Sequence, residues 1–140
     1  KKMKNYKFKD LKIGKTSTFK IKITKKLVSN FMLLSNDLSK IHISDDFSKK
    51  YGFKRRVVHG MLIATLYSRL IGMNLPGKYS LLTNIEIRFI KPVYLNDTIT
   101  IKGKVDTLNK SYKVAIIQIQ AKNQLNTIVS SAKSTVKLNE

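Results

Sequence analysis

The segment from Met61 to Ile71 is apolar on nearly every side and constrains the fold more than any other part of the chain. Only three residues interrupt it, and they are Thr65, Ser68 and Arg69. A helix that is apolar all round has to be buried all round. The apolar run is shorter than the roughly 18 residues that a membrane span requires. The rest of the chain is therefore expected to wrap around a central helix.

The second half of the sequence contains four segments in which apolar and polar residues alternate, as they do in half-buried strands. These segments are residues 84–89, 98–105, 112–121 and 127–138. Their connections are short, which favours an antiparallel sheet. Upstream, the pattern predicts a strand over 17–24, a helix over 25–35 with Thr24 as its N-cap, and a short helix over 44–52. The predicted class is α+β, with an antiparallel sheet around a long buried helix.

Length and composition point to one ordinary domain over residues 1–140. Apolar residues make up 42% of the chain, which favours a globular protein, and there is no cysteine. The net charge is +20, but the lysines are spread along the sequence. We therefore expect no specific nucleic-acid partner and no membrane association, and a cytoplasmic location by default.

The stretch "NDLSKIH" places Asp37 five residues before His42, one of only two histidines in the chain. The pattern predicts a polar loop between two helices. A carboxylate and an imidazole can hold one water molecule between them and exchange protons with it. Taken alone, however, an Asp in a loop is more often a turn former, and a single His is more often a hydrogen-bonded structural residue.

Four segments in register make the chain resemble the MaoC-like (R)-specific enoyl-CoA hydratases, which have the hot-dog fold. The segments are "LSNDLSKIH", "GFKRRVVHGMLIATLYSRLIG", "LPGKYSLL" and "RFIKPVYLNDTI". The resemblance covers roughly residues 14–138. One departure is visible, because the family usually has Asn-Pro where this chain has Ser39-Lys40. Proline would stiffen that loop by fixing φ, so the departure questions the rigidity of the loop.

The resemblance implies roles for several side chains in adding water to an enoyl thioester, or in the reverse dehydration. Asp37 and His42 would share the water as the general base and acid. The N–H of Gly60, at the start of the buried helix, would form the oxyanion hole. Ser68 would orient the catalytic pair, although a hydroxyl bonded to its own helix is an equal alternative. His59 is expected to be structural.

The implied substrate is a thioester of coenzyme A or of acyl carrier protein, and no metal or redox cofactor is needed. Its phosphates could contact the basic residues just before the buried helix, which are Lys54, Arg55 and Arg56. The resemblance also implies a homodimer, or a dimer of dimers, with the thioester tunnel at the interface. Two alternatives remain, namely a hot-dog acyl-CoA thioesterase and a non-catalytic module that binds acyl thioesters.

Overall fold

The computed structural model describes residues 2–140 and consists of one five-stranded sheet with helices on one side. The strands are β1 (Thr16–Lys22), β2 (Ser80–Phe89), β3 (Thr98–Asn109), β4 (Val114–Lys122) and β5 (Ile128–Leu138). The helices are α1 (Lys25–Ser35), α2 (Lys40–Ile43), α3 (Asp45–Lys50) and α4 (Gly60–Arg69). A 3₁₀ turn at Phe8–Asp10 precedes β1, and a π-helical turn at Leu70–Asn74 continues α4.

The sheet has the strand order β1-β3-β4-β5-β2, and every neighbouring pair is antiparallel. Strands β1 and β2 form its two edges. One face packs on the continuation of α4, and Gly103 of β3 permits this contact. A Cβ atom built on Gly103 would lie 2.3 Å from Leu70 Cδ2. The predicted α+β architecture, with a sheet around a central helix, is confirmed.

The burial of α4 differs from the prediction on one face of the helix. Its buried side chains are Leu62, Ile63, Ala64, Leu66 and Tyr67. Met61, Thr65 and Ser68 are exposed in the single protomer. Their i, i+4, i+7 spacing puts them on one stripe of the helix, which we call the α4 stripe. A single curved layer of sheet encloses only part of a helix, so burial all round is not reached within one protomer.

The segment over 36–42 also differs in part from the predicted loop. Residues 36–39 are irregular, but Lys40–Ile43 forms one turn of helix, so His42 lies on α2. Strand β2 begins at Ser80, four residues before the predicted start, because the adjacent Leu81 and Leu82 interrupt the alternation and the register shifts between Leu82 and Asn84. None of the helices within residues 2–140 combines the length and the apolar character that crossing a membrane requires.

Candidate active site

The position of Asp37 is set by the way α1 ends. Asn36 follows α1 in the left-handed conformation (φ 54°), and its N–H donates to Met32 O at 2.8 Å. Asn tolerates this conformation better than most residues. The Asp37 N–H then donates to Ser35 Oγ at 3.2 Å. The chain therefore reverses direction at Asn36 and presents the Asp37 side chain towards α4.

Ser39 fixes the Asp37 carboxylate through two hydrogen bonds to the same oxygen. Ser39 Oγ donates to Asp37 Oδ1 at 2.5 Å, and the Ser39 N–H donates to it at 3.1 Å. These two bonds, in that order, are the main reason that the pKa of Asp37 lies below its usual value. The Asx turn that they form restrains the segment from within. Ser39 thus restrains the loop without a proline.

His42 is held by the backbone of Val57. Its Nδ1 lies 2.7 Å from Val57 O, and the Val57 N–H donates to Ile41 O at 3.0 Å. A carbonyl oxygen can only accept, so Nδ1 carries the hydrogen. In neutral His42 the lone pair is therefore on Nε2. That nitrogen lies 4.0 Å from Asp37 Oδ2, the carboxylate oxygen that Ser39 leaves free.

The gap between His42 Nε2 and Asp37 Oδ2 suits one shared water molecule. For a water oxygen about 2.8 Å from each atom, the angle Nε2–water–Oδ2 would be about 90°. Both atoms are acceptors, so the water would donate one hydrogen to each and keep its lone pairs free. The Asp37 side chain is 42% exposed and that of His42 is 16% exposed. The pair is therefore accessible from the solvent-facing side of the protomer.

His59 joins this cluster, although it was expected to be only structural. It is 2% exposed, and its ring stacks on His42 with centroids 3.8 Å apart. Its Nε2 lies 3.0 Å from Asp37 O and 4.0 Å from Asp37 Oδ2. Phe31 packs on the ring as well, at 4.9 Å between centroids. The one available signal was its position directly before the start of α4, which brings it to the same end of the helix as Gly60.

The three ionisable side chains have one potential metal-binding atom each within 4.8 Å of one another. Their hydrogen bonds, however, do not favour a metal site. His59 Nε2 faces Asp37 O, which can only accept, so this nitrogen carries a hydrogen and offers no lone pair. In the neutral state only His42 Nε2 and Asp37 Oδ2 remain as ligands, and structural or catalytic metals in proteins usually take three or more.

A cavity of about 460 Å³ opens beside this cluster. Asp37, His42, His59 and Gly60 line its polar end, and most of the remaining wall is apolar. The Gly60 N–H is at the first position of α4, where no helical acceptor exists and where the His59 side chain provides no cap. It is therefore free to donate to a ligand. Phe89 covers Gly60 closely, since a Cβ built there would lie 2.9 Å from two of its ring atoms.

Ser68 lies outside this cluster. It is eight residues after Gly60, which corresponds to about 12 Å along a helix axis, and it does not line the cavity. It is exposed on the α4 stripe, where water can satisfy its hydroxyl. In the single protomer Ser68 therefore lies apart from the pair, and its orienting role stays a prediction.

The three basic residues before α4 differ in how they are engaged. Arg55 Nη2 donates to Leu95 O at 3.2 Å, and Arg56 Nε lies 3.6 Å from Asp45 Oδ1. Among residues 2–140, no acidic partner is found for the Lys54 ammonium. Lys91 lines the cavity and was missed, because its place beside α4 depends on contacts between segments that are distant in sequence. Lys91 is thus placed to meet an anionic ligand in the cavity. Lys54 does not line the cavity, but its ammonium is less engaged than the guanidinium groups of Arg55 and Arg56.

The apolar wall of the cavity ends near a buried hydroxyl pair. Ser130 lines the cavity and its Oγ donates to Arg88 O at 2.9 Å. Burial raises the pKa of Tyr67 to about 12, and the neighbouring Ser130 hydroxyl acts in the opposite direction. Tyr67 therefore stays protonated at physiological pH and is a core residue rather than an acid–base group.

Comparison with known proteins agrees with the resemblance seen in the sequence. The family model described as "MaoC like domain" matches residues 9–128. An (R)-specific enoyl-CoA hydratase from Aeromonas caviae is 30% identical over 91% of this chain and 96% of its own length. A 3-hydroxybutyryl-CoA dehydratase from Methylorubrum extorquens is 32% identical over 72% of this chain, which spans 64% of that relative. A solved structure is that of an (R)-hydratase from A. caviae, described as involved in PHA biosynthesis. It superposes on this chain with a TM-score of 0.86 and is 29% identical in sequence. The superposition covers 92% of this chain and 98% of that one. The predicted hot-dog arrangement is confirmed by this superposition.

Proposed function

This chain belongs to the MaoC-like domain family, and within that family we propose that it is an (R)-specific enoyl-thioester hydratase. It adds water to trans-2-enoyl thioesters of coenzyme A or acyl carrier protein, and it dehydrates 3-hydroxyacyl thioesters in the reverse direction. Its relatives carry the names of hydratases and dehydratases, so the reaction class is that of a hydro-lyase. The observation that carries the proposal is the free pair of acceptors, Asp37 Oδ2 and His42 Nε2, 4.0 Å apart beside the Gly60 N–H.

The nucleophile is one water molecule that donates a hydrogen to each member of the pair. This arrangement orients a lone pair of the water oxygen towards C3 of the enoyl group, which lowers the entropic part of the barrier. As the C3–O bond forms, the pair takes one proton from the water, and it then donates one proton to C2. The two transfers balance, so Asp37 and His42 end the cycle as they began it.

The negative charge that leaves the C2=C3 bond moves onto the thioester oxygen. The Gly60 N–H, at the positive end of the α4 dipole, donates to that oxygen. The apolar wall of the cavity accommodates the acyl chain and excludes bulk water. Lys91 lines the cavity and is the cation best placed to meet the phosphates of a coenzyme A or carrier-protein thioester. Lys54 does not line the cavity, but its ammonium has no acidic partner among residues 2–140 and is the second candidate. Arg55 and Arg56 would have to leave their intramolecular partners in order to contribute.

Two features of the protomer support the further proposal that the enzyme is a homodimer or a dimer of dimers. Strand β2 is an edge of the sheet, so its outer backbone groups are available to pair with a second copy. The rim of the cavity is formed by exposed apolar residues, namely Met61 (58% exposed), Phe89 (54%) and Ile90 (48%). Pairing through β2 would place Phe89 at the join and would bury part of this apolar rim.

The competing proposal within the fold is acyl-thioester hydrolysis, which would also use a carboxylate and a helix N-terminus. The two reactions release different products. Crotonyl-CoA and butyryl-CoA are each incubated with the protein, while the ultraviolet absorbance of the conjugated enoyl thioester and the free thiol are measured. A hydratase removes the enoyl absorbance of crotonyl-CoA and releases thiol from neither compound. Release of thiol from butyryl-CoA would support the thioesterase, and no reaction with binding would support a non-catalytic module.

A further inference from the structure

Building on the proposed function, we infer that His59 is a positioning residue that holds Asp37 and His42 at the separation which the shared water needs. It does so by donating a hydrogen bond from Nε2 to the main-chain oxygen of Asp37 and by stacking on the ring of His42. The sequence alone assigned His59 no role beyond structure.

The contacts of His59 reach both members of the catalytic pair. Its Nε2 lies 3.0 Å from Asp37 O, and its ring centroid lies 3.8 Å from that of His42 with an interplanar angle of 26°. No other described side chain is recorded with contacts to both residues. Ser39 fixes only the carboxylate of Asp37, and Val57 fixes only the imidazole of His42. His59 therefore couples two segments that are separately anchored.

The buried environment of His59 argues against a purely space-filling role. Its Nδ1 is buried without a hydrogen-bond partner among the described residues. Leaving a buried polar atom unpaired is unfavourable. Phe or Leu could fill the same space between Phe31 and His42 without that penalty. An imidazole at this position is explained if its other nitrogen, Nε2, does something that an apolar side chain cannot do.

The hydrogen bonds also require opposite tautomers on the two stacked rings. A carbonyl oxygen only accepts, so neutral His59 carries its hydrogen on Nε2, where it meets Asp37 O. Neutral His42 carries its hydrogen on Nδ1, where it meets Val57 O. His59 thus presents a donor to the backbone of Asp37 while His42 presents a lone pair to the water. The two histidines cannot exchange roles without breaking both hydrogen bonds.

Two substitutions test the hydrogen-bond donor and the aromatic ring of His59 separately. His59→Phe keeps an aromatic ring against His42 and removes the donor. His59→Gln removes the ring and keeps an N–H donor at a similar reach. Small misplacements of catalytic groups lower the reaction rate steeply. We therefore expect His59→Phe to lower kcat for crotonyl-CoA hydration about 10- to 100-fold. KM should change by less than about 3-fold, since His59 holds the pair rather than the substrate. His59→Gln should retain kcat within about 5-fold of the parent.

Phe31→Leu is the matched control. Phe31 packs on the ring of His59 but takes no part in the hydrogen bond between His59 Nε2 and Asp37 O. It should leave kcat within about 3-fold of the parent. A folded His59→Phe with parent kcat would overturn the inference, and so would a His59→Gln variant as impaired as His59→Phe. If the parent itself does not hydrate enoyl thioesters, the proposed function fails together with the positioning role. An active parent with an unaffected His59→Phe overturns the positioning role alone.

The tautomers provide a readout that needs neither activity nor a folded variant. Nitrogen-15 spectra of the parent, taken above the titration range of both imidazoles, should show hydrogen on Nε2 of His59 and on Nδ1 of His42. Hydrogen on Nδ1 of His59 would mean that it does not donate to Asp37 O, and the inference would be wrong even if the protein is an active hydratase.

Discussion

Replacing Gly60 with alanine tests whether the start of α4 must stay free of a side chain for catalysis. The added Cβ would lie 2.9 Å from Phe89 Cδ1 and Cε1. Ordinary carbon contacts are about 3.5–4.0 Å, so the ring has to retreat by less than about 1 Å. Phe89 is 54% exposed and can move outward. Because alanine is also favoured over glycine in helices by up to about 1 kcal/mol, we expect the free energy of unfolding to change by no more than about 1 kcal/mol.

The effect of Gly60→Ala on the rate should be much larger than its effect on stability. Removing one oxyanion donor costs roughly 10²–10³-fold in kcat, which is about 2.7–4 kcal/mol. The alanine keeps its N–H but crowds the approach of the thioester and displaces the cavity wall. Because a misplacement of about 1 Å can lower the rate about 10²-fold, we expect a loss of about that size. The assay is the initial rate of crotonyl-CoA hydration, with a thermal melt of each variant.

Gly72→Ala is the matched control, since a Cβ at Gly72 meets nothing within 4 Å and the residue has no positive φ. It should leave the rate unchanged. The double variant Gly60→Ala/Phe89→Ala separates two explanations. If glycine is needed only to accommodate Phe89, removing the ring should restore the rate. Full activity of Gly60→Ala, with a melt like that of the parent, would refute the requirement for a residue without a side chain at the start of α4.

Three further predictions concern pH, assembly and charge. Because Ser39 Oγ is the main cause of the lowered pKa of Asp37, Ser39→Ala should raise that pKa, whereas Ser39→Thr should not. The pKa is followed by the carbon-13 shift of the Asp37 carboxyl group during an acid titration, and an unchanged midpoint in Ser39→Ala would contradict the role of the Ser39 hydroxyl. Light scattering at micromolar concentration should give at least a dimer, and a fully active monomer would contradict the β2 pairing. Binding to random DNA, measured by fluorescence anisotropy, should weaken steeply with added salt, and tight sequence-selective binding at physiological salt would count against the hydratase.

The layers of the fold could be predicted from the sequence, because each layer has a clear pattern of apolar residues. The alternation in β3, β4 and β5 and the apolar run in α4 identify a sheet around a helix. The exposed α4 stripe was missed, because Met61 is as apolar as its buried neighbours and the two polar members, Thr65 and Ser68, were read as interruptions of a buried helix. Which face a helix turns to solvent depends on how far the sheet curves around it, and that is a property of the whole fold.

The candidate site was predictable where a motif spans neighbouring residues and unpredictable where the contacts are distant in sequence. Asp37 and His42 are five residues apart, and the resemblance placed both. His59 reaches Asp37 across 22 residues, through a hydrogen bond between a side chain and the backbone. Ser68 is on the same helix as Gly60, but a shared helix does not bring two residues to the same site when two turns separate them.

The most direct test of the account is a double-mutant cycle on Asp37 and His42, measured as the rate of crotonyl-CoA hydration. Asp37→Asn and His42→Ala should each lower kcat by roughly 10²–10⁴-fold, as expected for positioned acid–base groups. Since both act on one water, the double variant should be little worse than the more impaired single variant. All three should melt like the parent, because the side chains of both residues are partly exposed. Single variants that melt like the parent and hydrate at near-parent rates would show that "NDLSKIH" is only a turn. Losses in kcat that multiply in the double variant would show that the two residues do not share a water molecule.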